Sequence, residues 1–397
     1  MEIIYQLIQS TYLGMTVLLI VALGGLLAER SGVTNIALEG IMIFGAFIGV
    51  WGIKIFERYL SRPSILLMIM IVLLILILLI TILPEYRYLK KKHSTDKEWK
   101  EFKIASVIKV SIAAVVLLIS ILLTMVVPNI ATNPQTILQS KTQMILIMGL
   151  TVGGLIGGLF SMIHAYASIY LKANQVISAT ALNLFAPAFA VFTARILQGG
   201  QQISFMSNFM INKVPLLGDI PLIGDIFFKR NYLSFYFSIG LLILLSILIY
   251  KSKFGLRLRA CGENPHAADS LGINIYRLRF KAVTLSGVLA GIGGVSFVIS
   301  TSTEFNVTVA GFGFLAIAVL IFGNWSPKGI VLAALFFGFM RTIASSFSII
   351  PFLNRLGAPA EIYNMIPFIA TLIILGFFSK NSRAPKALGQ VYDQGKR

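Results

Sequence analysis

A small set of polar and aromatic side chains lies within long apolar stretches of the chain. Asn35 and Glu39 stand four residues apart, which places both on one face of a predicted helix. Thr180 and Asn183 stand three apart in another apolar stretch, and Phe185 follows them. An amide beside an aromatic face suits a nucleobase or a sugar, through hydrogen bonding and stacking. These five residues are therefore predicted to line a passage for a polar solute.

Further residues of this kind carry two interpretations each. Phe312 and Phe314 follow Gly311 at the start of another apolar stretch, where they either face a solute or anchor a helix at a membrane surface. Arg341 lies well inside an apolar stretch and needs a partner or water. It either lines the passage or belongs to a structural pair. Asn35 and Glu39 likewise have a structural alternative, a hydrogen-bonded cluster between helices near the inner membrane edge.

Catalytic motifs are lacking in the sequence. It contains no GxxxxGK[ST] phosphate loop and no HExxH metal motif. No pair of carboxylates lies in the middle of an apolar stretch, although an enzyme within a membrane would need such groups. An ion-coupled carrier would also need buried carboxylates, for which Glu39 is the main candidate. We therefore predict that the chain is not an enzyme and holds no catalytic residue, metal or cofactor of its own.

Composition indicates the surroundings of these residues. The chain of 397 residues is 57% hydrophobic and only 12% charged, whereas a soluble domain carries about 25% charged residues. This deficit indicates a membrane protein. A net charge of +18 would suggest nucleic acid for a soluble protein, but basic loops on the cytoplasmic side of a membrane explain it better. We expect contact with lipid and none with nucleic acid.

Eleven apolar runs follow one another along the chain, and most could cross the roughly 30 Å of a bilayer core. The predicted fold is therefore an all-α polytopic membrane protein with about 11 spans in a single domain, 1–397. The ninth run is short and is predicted to be a partial or re-entrant span. The runs lie near residues 8–28, 35–56, 63–83, 107–127, 144–162, 176–197, 232–250, 281–301, 312–323, 328–350 and 362–379.

The distribution of Lys and Arg predicts the orientation of these spans. One side of the membrane would hold 22 basic residues and the other nine. The basic-rich side should be cytoplasmic, which places the N-terminus outside and the C-terminus inside. The segments on that side are 29–34, 84–106, 163–175, 251–281, 324–329 and 380–397.

A short polar helix is predicted within the basic loop 251–280. Asn264 is a favourable N-cap, Pro265 suits the first helical position, and Gly272 supplies a left-handed stop. So short a helix would be marginal alone in water. Because it lies between two membrane spans, we expect it to be held against a partner.

Four sequence motifs resemble those of one family of transporters. GENPHAADSLGIN (262–274) resembles the cytoplasmic coupling motif of permease subunits of ATP-binding-cassette (ABC) importers, in the group for branched-chain amino acids, ribose and nucleosides. ERSGVTNIALEGIMIFGAF (29–47), LKANQVISATALNLFA (171–186) and GFGFLAIAVLIFGNWSPKG (311–329) resemble other parts of these permeases, in the family's order. The LEG at 38–40 resembles the nucleoside and simple-sugar branch more than the amino-acid branch.

One region departs from the family pattern. Permeases of this kind run almost directly from the second span to the equivalent of residue 153, whereas an apolar hairpin around a basic loop intervenes here. The resemblance thus implies roughly nine family spans plus an inserted transmembrane hairpin, 63–143, whose basic loop is cytoplasmic.

The resemblance also implies a mechanism, partners and a location in the bacterial cytoplasmic membrane. A separate ATPase subunit would bind ATP and Mg and push the short helix, so that a central pathway opens alternately to each side. The other partners would be a second permease subunit, different or identical, and an extracytoplasmic solute-binding protein or lipoprotein. Nucleosides are the implied solutes; the alternatives are ribose- or galactose-type sugars, or an ion-coupled carrier. The residues implied at the ATPase contact are Gly262, Glu263, Asn264, Pro265, Ala267, Ala268, Leu271 and Gly272.

Overall fold

The computed structural model describes residues 2–58, 134–378 and 383–394, apart from positions 216, 222, 351, 352, 354 and 356. The chain divides into two compact units, residues 52–148 and the remainder. In the smaller unit, the described residues form the end of one helix and the start of the next. Both predicted spans of the inserted hairpin, 63–83 and 107–127, lie outside the described residues, so the hairpin stays a prediction.

Helices make up most of the described chain. Seven of them are long and apolar enough to cross a membrane, namely α1–α5, α8 and α10. Nine of the eleven predicted runs fall on helices, which confirms a mostly helical, polytopic membrane protein. The described helices are α1 (Glu2–Arg30), α2 (Leu38–Arg58), α3 (Pro134–Ala165), α4 (Gln175–Gln198), α5 (Leu233–Lys251), α6 (Lys253–Glu263), α7 (Pro265–Ser270), α8 (Ile275–Thr301), α9 (Phe312–Phe322), α10 (Pro327–Ser345), α11 (Ala360–Asn364) and α12 (Ile366–Phe378).

The ninth predicted run forms α9, a helix of 11 residues. At 1.5 Å per residue it is about 16 Å long, roughly half the thickness of a bilayer core. The expectation of a partial span thus agrees with the length of this helix. The last run is divided into α11 and α12 at Met365.

Four short strands accompany the helices of the described chain without forming a closed sheet, so the predicted all-α class agrees with the structure. β1 (Ile203–Ser204) pairs antiparallel with β4 (Glu304–Phe305), and β2 (Met210–Lys213) pairs with β3 (Lys229–Tyr232). The strands lie in the segment between α4 and α5 and in the loop after α8. Backbone that leaves a helix still needs hydrogen-bond partners, and here two small ladders supply them. Sequence periodicity is too weak to reveal strands of two to four residues.

The core of the larger unit is built around α1, which packs along α8 and α10. A helix that is apolar on every side belongs inside a bundle, and α1 meets this description. Its central side chains are fully buried, including Leu18, Leu19, Ile20, Leu23 and Leu26.

Helices α3 and α8 approach each other through glycines. The four-residue spacing of Gly153 with Gly157, and of Gly287 with Gly291, predicts such a close contact. A methyl group added at Gly157 would lie only 2.8 Å from the Cα atom of Gly291. No side chain fits there, so these glycines allow the close packing of α3 and α8.

The loops of the larger unit gather at the two ends of α1. At the C-terminal end, the loop 31–37 is hydrogen-bonded to α6, to α8 and to the segment 383–394. Arg30 donates from Nη2 to the carbonyl oxygen of Trp325 at 2.6 Å, which brings the turn 323–326 to the same end. Near the other end, Gln9 donates to the carbonyl oxygen of Asp225 at 3.4 Å, in the segment that carries β2 and β3. The predicted basic-rich segments that the structure describes therefore share one end.

Candidate functional site

The start of α9 is fixed by a carboxyl group from α2. Glu39, in the first turn of α2, accepts hydrogen bonds from the backbone amides of Gly311 at 3.0 Å and Gly313 at 2.7 Å. Gly311 has a φ of 77°, a left-handed conformation that glycine adopts without strain. The first amides of a helix have no partner within the helix. Glu39 supplies that partner from more than 270 residues away in the sequence.

The start of α2 is fixed in turn by an amide from α4. The Oδ1 atom of Asn183 accepts from the amide of Gly40 at 2.8 Å, and its Nδ2 atom donates to the carbonyl oxygen of Ile36 at 3.0 Å. Both ends of the Asn183 side chain are therefore engaged by backbone. With Glu39, it joins α2, α4 and α9 in one polar cluster, which we call the α9 anchor.

Phe312 and Phe314 separate at the start of α9. Phe312 is buried and packs against Phe297, with 4.8 Å between the ring centroids. The guanidinium carbon of Arg341 lies 5.5 Å from the centroid of the Phe312 ring, a cation–π contact that sequence could not identify. Phe314 is exposed. Of the two aromatic residues, only Phe314 is available to a solute.

Asn35 does not share a helix face with Glu39, which corrects the prediction. Helix α2 begins at Leu38, so Asn35 lies in the irregular segment before it. Asn35 is buried and donates to the hydroxyl oxygen of Ser286 in α8 at 3.0 Å. The spacing of four residues implied a common face only if the helix had begun earlier. The structure therefore places Asn35 between α2 and α8 rather than with Glu39.

Thr180 and Phe185 lie on the exposed side of α4. The Thr180 hydroxyl donates to the carbonyl oxygen of Val176, one turn earlier, at 2.8 Å. Phe185 stacks on Phe189, with 5.6 Å between the ring centroids. The Phe160 ring lies 6.1 Å from the Phe185 ring between centroids. The Phe44 ring stacks on Phe160 at 4.3 Å. Sequence reasoning found Phe185 but missed the other three rings, which come from α2, α3 and α4.

Helix α7 has the caps that its sequence predicts. The Oδ1 atom of Asn264 accepts from the amide of Ala267 at 3.1 Å, and Pro265 occupies the first turn. Gly272 has a φ of 77°. Ala268 is 2% exposed and Leu271 is 81% exposed, so α7 presents one side outward and buries the other. Of the eight residues predicted at the contact, Gly262, Pro265 and Ala268 are buried, and Glu263, Asn264, Ala267, Leu271 and Gly272 are exposed.

Helix α6 attaches α7 to the end of α1. The Sγ atom of Cys261 donates to the carbonyl oxygen of Ser31 at 3.4 Å, and Arg279 of α8 donates from Nε to the same oxygen at 3.1 Å. Burial raises the pKa of the Cys261 thiol, although the nearby Arg279 guanidinium acts in the opposite direction. A buried thiol of raised pKa is a poor nucleophile, which suits a packing role.

The larger unit also carries a polar cavity. It measures about 380 Å³ and lies beside β1 and β4. Among the residues that the structure describes, no group of three or more His, Cys, Asp or Glu side chains could hold a metal ion. The cavity is lined by Gly200, Gln201, Gln202, Ser204, Glu304 and Asn306.

The described residues thus form a bundle of apolar helices with a half-length helix anchored inside it and a capped polar helix exposed at one end, an arrangement that suits a membrane transport protein. A family described as branched-chain amino acid transport system / permease component matches residues 101–375. The chain belongs to this family of ABC transporter permeases, in its nucleoside and simple-sugar branch, and is a multi-pass protein of the bacterial cytoplasmic membrane.

Individual relatives agree with this assignment. The nucleoside ABC transporter permease protein NupC of Lactococcus lactis subsp. cremoris is 42% identical over 60% of this chain and 74% of its own length. The guanosine ABC transporter permease protein NupQ of Bacillus subtilis is 31% identical over 100% of this chain and 99% of its own. NupB, a second nucleoside permease protein of the same Lactococcus strain as NupC, is 30% identical over 39% of this chain and 43% of its own. No solved structure matches the chain.

Proposed function

We propose that this chain is the permease subunit of an ATP-driven ABC importer and that it forms the pathway for nucleosides by alternating access. The observation that carries the proposal is the match along the entire chain with a guanosine permease. The relatives are permease subunits rather than ATPases, so a partner subunit would bind ATP and Mg²⁺. Two nucleoside permease proteins of one organism match this chain, which favours a pore of two different permease subunits.

The exposed face of α4 and the start of α9 support a pathway for a neutral, planar solute. Phe185 and Phe314 are exposed aromatic rings, and Thr180 adds a hydroxyl on the same helix as Phe185. Aromatic faces bind nucleobases by stacking. The α9 anchor would hold the start of the half-length helix in place beside this route, with Glu39 and Asn183 acting as positioning residues rather than solute ligands.

The orientation of the chain in the membrane is proposed from the basic segments that lie at the C-terminal end of α1. The segments 29–34, 163–175, 251–281, 324–329 and 383–394 would face the cytoplasm, because the basic side of a membrane protein does. In this orientation α7 would lie on the side of the ATPase and the N-terminus would lie outside, with 11 spans when the proposed hairpin 63–143 is included. The polar cavity beside β1 and β4 would then face the extracytoplasmic solute-binding protein or lipoprotein.

The proposed function is tested by uptake of a radiolabelled nucleoside panel into liposomes that hold the assembled transporter. We expect uptake that requires ATP inside and receptor outside, with competition by unlabelled purine or pyrimidine nucleosides. Competition by ribose or galactose alone would identify the simple-sugar alternative. Uptake that survives ATP depletion and collapses with an ion gradient would identify a secondary carrier.

The position of the ATPase contact is tested by one substitution on the exposed side of α7. Leu271→Arg changes a side chain that is 81% exposed, so it should leave folding intact. We expect it to abolish nucleoside-stimulated ATP hydrolysis while the receptor binds its ligand with unchanged affinity. Unaltered stimulation would place the contact elsewhere.

A further inference from the structure

The segment 383–394 crosses the end of the bundle where α7 lies. The backbone amide of Ala387 donates to the carbonyl oxygen of Gly262, at the end of α6, at 2.9 Å. The amide of Gly389 donates to the carbonyl oxygen of Gly32, in the loop after α1, at 3.1 Å. Two backbone hydrogen bonds to two different elements hold the middle of this segment, which forms a turn at 386–389.

One end of the segment is locked against α7 by Tyr392. The ring of Tyr392 lies 5.1 Å from the His266 ring of α7 and 5.5 Å from the Tyr276 ring of α8, between centroids. The Arg279 guanidinium lies 6.0 Å from its centroid. Tyr392 is only 5% exposed, whereas its neighbour Val391 is 45% exposed. Tyr392 is therefore a wedge between α7 and α8.

Two polar contacts surround this wedge. The Nζ atom of Lys172 lies 2.8 Å from a carboxylate oxygen of Asp393, and that hydrogen bond raises the pKa of Lys172. Gln394 donates from Nε2 to the Oδ2 atom of Asp269 in α7 at 3.3 Å. Exposed polar pairs contribute little to stability. The buried Tyr392 ring is therefore the main contact that holds this end of the segment.

The other end of the segment reaches the turn that follows α9. The amide of Arg383 donates to the Oδ1 atom of Asn324 at 2.6 Å. Asn324 and Trp325 have positive φ values of 50° and 49°, which make this a tight left-handed turn. Such backbone conformations persist only where the surrounding structure holds them. A displacement of Asn324 would therefore change the backbone at the end of α9. The start of α9 is held by Glu39.

We infer that residues 383–394 are a brace that transmits movement of α7 to α9, with Tyr392 as its positioning residue, an inference that rests on the proposed function. Helix α7 has six residues and is too short to be rigid by itself. A motor pushing on it needs a second support through which the displacement reaches the pathway. The brace touches α7 at one end and the exit of α9 at the other.

The brace is tested with Tyr392→Ala in the assembled transporter, and Val391→Ala is the matched control. We expect Tyr392→Ala to lower the ratio of nucleoside-stimulated to basal ATP hydrolysis about tenfold, within the range of couplings between distant sites. Basal hydrolysis and assembly should stay unchanged, and Tyr392→Phe should restore the ratio because it keeps the ring. Equal loss of basal and stimulated hydrolysis, or an effect of Val391→Ala as large, would overturn the inference.

A second readout needs no solute. Hydrogen–deuterium exchange in the Tyr392→Ala complex should rise both in α7 and in the turn 323–326, which Tyr392 does not touch. A rise confined to α7 would show local packing only and would overturn the brace. A wild-type complex that transports no nucleoside would refute the proposed function, while the exchange result still decides for or against the brace.

The far end of the brace is tested by Asn324→Gly. Glycine keeps the left-handed backbone conformation and removes the acceptor for Arg383. If both ends belong to one brace, the double variant with Tyr392→Ala should lose no more coupling than Tyr392→Ala alone. Simple addition of the two effects would show two independent contacts instead.

Discussion

The two short helices α7 and α9 begin in opposite ways. Asn264 caps α7 with its own side chain, three residues before the amide that it accepts from. Helix α9 begins at Phe312 after Gly311, which provides no side-chain cap, and the amides of Gly311 and Gly313 bond to Glu39 in a distant helix. One helix start is thus encoded locally and the other by tertiary structure. The cap of α7 therefore does not depend on the packing of another helix, whereas the start of α9 is held only while α2 stays beside it.

The largest expected effect comes from removing the acceptor at α9. Glu39→Ala would leave two amides without a partner, at a cost of about 1–3 kcal/mol each. We expect the free energy of unfolding to fall by roughly 3 kcal/mol or more, together with loss of uptake. Thermal unfolding of the purified chain in detergent would measure the change. Glu361→Ala, at an exposed carboxylate on α11, should leave the melting temperature unchanged, and an equal fall in both variants would refute the anchor.

An intermediate effect is expected from added methyl groups at the two helices. Gly313→Ala would place a Cβ atom 2.5 Å from the Cα atom of Glu39, and such overpacking costs about 1–3 kcal/mol. Gly272→Ala, after α7, meets open space and costs only the roughly 1 kcal/mol of a left-handed conformation. We expect the melting temperature to fall further for Gly313→Ala. A larger fall in melting temperature for Gly272→Ala would contradict the difference drawn between α7 and α9.

The smallest effect on stability is expected at the cap of α7. Asn264→Ala removes the acceptor for the Ala267 amide, which costs about 1 kcal/mol and acts on α7 alone. Hydrogen–deuterium exchange should rise in 265–271 while the global melting temperature hardly changes. Asn264→Ser keeps a cap and should restore protection. Failure of serine to restore it would show that Asn264 acts through contacts other than the cap.

Features that depend on nearby residues could be predicted from the sequence, whereas contacts between distant parts of the chain could not. Asn264, Pro265 and Gly272 were interpreted correctly because a cap, a first turn and a stop depend on neighbours within a few residues. The glycine contact of α3 and α8 was also predictable, since spacing alone places glycines on one face.

Contacts that join distant parts of the chain could not be predicted. The sequence indicates that Glu39 is a polar residue within an apolar stretch, but its bonds to Gly311 and Gly313 depend on how α2 and α9 pack. The prediction for Asn35 is wrong because α2 begins only at Leu38, next to the backbone that Asn183 of α4 contacts at Ile36 and Gly40. The sequence of the segment 383–394 does not reveal its contacts, because they depend on the distant elements that it meets. The aromatic group around Phe185 draws on three helices for the same reason.

The way in which α9 begins also bears on what can pass beside it. Free amides at the start of a helix attract phosphates and other anions. At α9, the amides of Gly311 and Gly313 are already taken by oxygen atoms of the protein itself. The amides of Gly311 and Gly313 are therefore not available to bind a phosphate group. A nucleotide would gain no binding energy from them over the corresponding nucleoside.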